Sequence, residues 1–115
     1  MSETERTSIV KMIWGDGEHT FRLPYDQLVE LQEKLGQGPM KTLMSFESGD
    51  WTPQSVYEIM RLGLIGGGMK PVDALSLTRR YVLDRPLGES SIPAATVLSA
   101  ALMGVPVAAP EAVDG

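Results

Sequence analysis

The sequence predicts an α+β fold in which helix dominates: a two-stranded N-terminal β-hairpin followed by four to five short helices. Two observations carry this expectation. Apolar residues alternate with polar ones as far as Leu23, and the period changes to helical spacing directly after Pro24. Beyond that point Pro39, Pro53 and Pro71 stand where helices begin, and Gly36 and Gly66 to Gly68 stand where they stop.

The hairpin is read from "SIVKMIWGDGEHTFRL", residues 8–23, where two β-type runs flank Gly15-Asp16-Gly17. A two-residue turn at Asp16-Gly17 puts Trp14 opposite His19, Met12 opposite Phe21 and Val10 opposite Leu23, so that all six share one face. Slipping one strand by a single residue would send Phe21 and Leu23 to the other side. Lys11, Glu18, Thr20 and Arg22 fall on the solvent side; Ile9 and Ile13 break the pattern. An isolated hairpin is not stable in water, so its apolar face must lie on helices.

Leu28, Leu31 and Leu35 recur at helical spacing and predict a helix over 24–35, ended by Gly36 and Gly38. Pro39 opens a segment over 39–46 with Met40, Leu43, Met44 and Phe46, closed by "SGD". Thr52 as N-cap and Pro53 at the first helical position start a helix over 53–66. Its stripe is Val56, Ile59, Met60 and Gly63, with Glu58 and Arg61 turned away. Pro71 opens a helix over 71–84 carrying Val72, Leu75, Thr78, Tyr81 and Val82, with Asp73 near its positive end. The last helix, 92–103, is apolar on most faces, which marks it as clasped by neighbours or as a seam for a partner. The expected domain organisation is a disordered N-terminus over 1–7, a single globular domain over 8–104 and a flexible tail over 105–115.

"LGLIGGGMKP", residues 62–71, raises the question of a phosphate-binding loop. Such a loop needs a strand before it, and a Walker pattern needs Lys-Ser/Thr directly after its last glycine. Met69 occupies the lysine position, and helical spacing runs up to the glycines. Gly66, Gly67, Gly68 and Pro71 therefore read as a structural joint, a helix stop followed by a helix restart.

Composition narrows the function classes. Apolar residues make up 43% and charged residues 22%, an ordinary globular balance. The net charge of −5, with the cations scattered, speaks against a nucleic-acid surface. The chain has no cysteine, which removes thiolate chemistry and disulfides. No segment has the length of a membrane span. The polar "MSETERTS" start reads as no secretory signal, so the expected location is the cytosol.

Catalytic constellations are not indicated. His19, the single histidine, has no orienting carboxylate or nucleophile assigned to it by sequence, and a packing role is the better reading. Glu47 and Asp50 flank a Ser-Gly turn and suit local hydrogen bonds better than acid/base work. Neither calcium-loop nor histidine-pair metal spacing occurs. The expectation is a non-enzyme without metal, cofactor or small-molecule substrate. Trp51 suits a staple ahead of the Thr52 helix start, so packing is its expected role, although a half-exposed tryptophan is also a common interface anchor. The seven methionines suit core filling or an adaptable binding surface.

In order, "DGEHTFRL", "LQEKLGQGP", "SGDW", "RLGLIGGGMKPVDA", "YVLDRPL" and "ALMGVP" resemble the small tail protein encoded ahead of the tape-measure protein in gene transfer agents and tailed-phage gene clusters. The resemblance runs from Trp14 to Pro106. It implies a non-enzymatic role in building a phage-like tail. The first reading is an assembly chaperone that binds the tape-measure protein; the alternative is a structural component, tail tube or minor tail protein, retained in the particle. Partners are then tape-measure or other tail proteins, with self-association as a further option. By apolar excess, the contact surface is expected at Leu75, Tyr81, Leu98, Leu102 and Met103.

Overall fold

α3, Pro53–Gly66, is the element on which the other parts assemble, and the computed structural model describes residues 5–107 around it. Its start is set locally. Thr52 Oγ1 accepts from Ser55 N–H at 3.0 Å and Ser55 Oγ accepts from Thr52 N–H at 3.1 Å, a reciprocal cap that satisfies two free amides, while Pro53 needs none. Val56, Ile59, Met60, Leu62 and Leu64 are all sealed from solvent, so α3 is buried around most of its circumference.

The hairpin consists of β2, Val10–Trp14, and β3, Gly17–Phe21, after a short β1, Arg6–Thr7. The turn falls one residue earlier than expected, which shifts every partner by two: Val10 pairs with Phe21, Met12 with His19 and Trp14 with Gly17, leaving Gly15-Asp16 as the turn. A positive φ of 67° at Gly15 and none at Asp16 is the II′ pattern, with glycine first. The reason lies outside the hairpin. The Tyr81 ring covers Gly15 so closely that a Cβ there would stand 2.8 Å from its Cδ2. A shift of two preserves the faces, so Val10, Met12, Trp14, His19 and Phe21 still share one side and Trp14 and Phe21 are buried. Leu23, beyond the strand, is buried as well.

α1, Tyr25–Leu35, runs antiparallel to α3: Gln54 Nε2 donates to Lys34 O at 3.3 Å near one end, and Glu30 meets Arg61 at 3.7 Å further along. Glu58, expected to face solvent, is 7% exposed and accepts from Arg61 at 2.6 Å. Packing of α1 covers the face that the α3 stripe alone would leave open. α2, Pro39–Ser48, follows and lies against α5, Ser91–Met103.

α4, Pro71–Thr78, continues as a π-helical turn over Arg79–Leu83, in place of one α-helix to residue 84. Its buried face agrees with the expected stripe at Thr78 and Val82 and differs from it elsewhere. Ala74, Thr78 and Val82 point inward, while Val72 and Leu75 point out. Small residues at i and i+4 let the helix lie close to α3, and Thr78 Oγ1 donates back to Ala74 O at 2.8 Å. A 3₁₀ turn, Leu87–Ser90, leads into α5 and supplies Ser90, whose Oγ accepts from Trp14 Nε1 at 3.0 Å.

The two ends of the described chain meet. β1 pairs antiparallel with β4, Val105–Pro106, although these residues were expected to lie in disordered and flexible segments. Arg6 donates from Nε to Met103 O at 3.1 Å and from Nη2 to Gly104 O at 3.0 Å, placing a cation on the carbonyl end of α5. Residues 1–4 and 108–115 of the expected termini lie outside the described residues.

Candidate interaction surfaces

The glycine joint is filled by the protein's own backbone. Gly63 O accepts from both Arg22 N–H and Gly67 N–H, each at 2.9 Å, so the strand exit is hydrogen-bonded directly to the last turn of α3. A Cβ on Gly66 would overlap Arg22 O and stand 2.6 Å from Pro24 Cδ; one on Gly67 would overlap Thr20 O and stand 2.7 Å from Thr20 C. Gly68, at φ 113°, makes the exit, and its N–H donates to Ile65 O at 3.0 Å. Pro71 then occupies the first position of α4. The stretch is a joint between two helices, and its glycines are also the seam between helix and strand.

A groove of about 410 Å³ opens between α2 and α5. Phe46 from α2 and Trp51 from the following loop stack at 6.2 Å between centroids and 11° between planes, forming one wall. Ile92 and Ala95 from the first turns of α5 form the other, and Ile92 is 76% exposed. Gly49 ends α2 in a left-handed conformation and brings Trp51 back toward Phe46. The groove is mostly apolar, with Glu47 and Thr96 at its edge.

The five residues expected to bind a partner do not form one open face. Leu98 is sealed in the core, and Leu102 is half-buried against it. Tyr81 is half-buried and sets its ring edge-on to Trp14 at 5.8 Å, over Gly15. Only Leu75 and Met103 of the five reach solvent substantially. Sequence reasoning passed over the Phe46–Trp51–Ile92 groove because its walls come from three separate segments. The available signal was Trp51 as an interface anchor and the apolar excess of the last helix.

The polar groups have local partners. His19 Nε2 lies 2.7 Å from Asp16 Oδ1 across the hairpin turn, supplying the carboxylate that the sequence did not indicate. That hydrogen bond holds the Asp16 carboxyl below its ordinary value. Arg85 grips Glu89 with two hydrogen bonds at 2.9 and 3.1 Å; these lower the Glu89 carboxyl and raise the guanidinium. Ser48 Oγ donates to Asp50 at 3.3 Å, a local turn contact. Among the described residues, no group of three or more His, Asp or Glu side chains could hold a metal ion, and no helix is long and apolar enough to cross a membrane.

A family model described as phage tail tube protein, GTA-gp10, matches residues 7–104. The chain belongs to this family. It is therefore a phage-tail protein of the gene-transfer-agent type. The match begins in β1 and ends at Gly104, between α5 and β4, so it covers the hairpin, all five helices and both walls of the groove. No curated protein and no solved structure matches the chain.

Proposed function

We propose that this protein is a structural component of the tail, in the tube or at its ends, made in the host cytoplasm and retained in the finished particle. It meets neighbouring tail subunits through apolar surface left open by the single chain, foremost the α2–α5 groove. The observation that carries this is an isoleucine three-quarters exposed beside a stacked Phe–Trp pair, in a chain of a tail-tube family. Covering such a side chain is worth about 1.5–3 kcal/mol, and a monomer forgoes it.

An assembly chaperone for the tape-measure protein is the second reading. It is favoured by the position of the groove between two helices, which suits a helix laid in a groove, and by the exposed Met40 and Met44 on α2. One experiment separates the two. Purified particles are digested and this chain is quantified by mass spectrometry against the other tail proteins. Multiple copies in fixed ratio support the structural reading. Absence from particles, with recovery in a complex with the tape-measure protein before assembly, supports the chaperone instead.

A further inference from the structure

The outer faces of α1 and of α4 with its π-helical continuation carry patches of opposite net charge. On α1, Tyr25 and Val29 are exposed one turn apart, and the shallow concavity beside them, about 500 Å³, is lined by Asp26, Glu30 and Glu33 with Lys34 as its cation. On α4, Val72, 68% exposed, and Leu75 line a second concavity of about 400 Å³ with Ser76, Arg79, Arg80 and one carboxylate, Asp84. Among the described residues Asp26, Glu33, Arg79 and Arg80 make no ion pair, and Glu30 only shares Arg61 at 3.7 Å. Arg80 lies over its neighbour Tyr81, 5.8 Å from the ring centre. Each face therefore presents two exposed apolar side chains beside a net charge, negative at α1, where Lys34 offsets part of three carboxylates, and positive at α4, where Asp84 offsets part of two arginines.

We propose that these faces are the two halves of one interface between copies of this chain, the acidic face of α1 in one copy seated on the basic face of α4 in the next. The occupant is a second copy because the complement of each patch in sign and in apolar content is present on the same chain. Like charges oppose α1 on α1 and α4 on α4, which selects a head-to-tail contact. Two different patches joined in this way leave one of each free at the ends, so the contact propagates into a ring or a filament. This deepens the structural-component reading and rests on its premise that copies meet in the tail.

The test uses the full chain in sedimentation velocity. Wild type is expected to self-associate at low salt and to dissociate toward monomer at about 0.5 M salt, where exposed charges are screened within a few ångströms. Asp26→Lys with Glu33→Lys, and separately Arg79→Glu with Arg80→Glu, should each be folded by circular dichroism and monomeric. Mixing the two variants should restore association, and so should combining all four substitutions in one chain. Val72→Ser gives an independent check and should weaken association at least tenfold without reversing a charge.

A wild type that stays monomeric at low salt overturns the proposal. So do single-face reversals that still associate, or a mixture that fails to. The outcome is separable from the particle measurement: a chain abundant in particles whose charge swaps give no rescue refutes this interface and leaves the structural reading. A rescue by a chain absent from particles does the reverse.

Discussion

The seam between α3 and β3 and the groove between α2 and α5 are both places where a helix meets a neighbour, yet they are built in opposite ways. At the seam there are no side chains between the partners; Gly66 and Gly67 bring helix and strand backbones into contact, and Arg22 N–H bonds to Gly63 O. At the groove both walls carry large apolar side chains, and about 410 Å³ is left between them with Ile92 standing free. The first junction is complete within one chain. The second has apolar surface in excess of what one chain can cover, which is the condition expected of a subunit that assembles.

The sharpest way to break the seam is Gly67→Val. Its Cβ would occupy the space of Thr20 O, which belongs to a paired strand and cannot move alone, so a loss of about 3 kcal/mol or more is expected in urea unfolding. Gly66→Val should behave alike, against Arg22 O. Gly68→Ala meets open space and carries only the cost of φ 113°, about 1–2 kcal/mol. Equal losses at all three positions would mean that the glycines serve the turn alone and that the seam is not the reason for them.

The groove should respond in the other currency. Trp51→Ala removes a half-buried stacked ring and is expected to cost about 1–2 kcal/mol. Ile92→Asp should leave urea stability within about 0.5 kcal/mol, yet reduce incorporation of the chain into particles, read by the same mass spectrometry. A large loss of stability in Ile92→Asp would place that side chain in the fold and remove the groove as an interface. Thr52→Ala, which touches neither junction, should cost about 1 kcal/mol through the lost cap and leave incorporation unchanged.

The legibility of the molecule follows the range of the forces involved. Thr52-Pro53, the glycine stop and Pro71 act within a turn of helix, so the bounds 53–66 agree with α3 to the residue. The hairpin faces were legible because period two survives an even shift, whereas the turn itself depends on Tyr81, sixty-odd residues away, lying on Gly15. The α4 face was misread in part for a similar reason: Thr78 and Val82 are buried as expected, but Ala74 looks weaker than Val72 and Leu75 as a core former, and close approach to α3 favours the small residue. Glu58 is buried by α1, and Arg6 finds Gly104 across the length of the chain. The groove combines both difficulties, since no single segment displays it.

The smallest expected effect lies at the hairpin turn, outside both junctions. His19 holds the Asp16 carboxyl below its ordinary value in the folded chain, while the unfolded chain releases it to about 3.9. The folded state therefore binds its proton less readily, and the contribution is present above the unfolded value and lost as pH falls through the lower folded one. Between pH 7 and 5 this pair should add no slope to stability through Asp16. The Asp16 side chain is exposed, so solvent screens the pair and the change should be slight. Asp16→Asn should flatten that acid limb in urea titrations without altering the seam or the groove. If it instead lowered stability across the neutral range as strongly as Gly68→Ala, the turn would be held by the Asp16 side chain and not by the Tyr81 ring on Gly15.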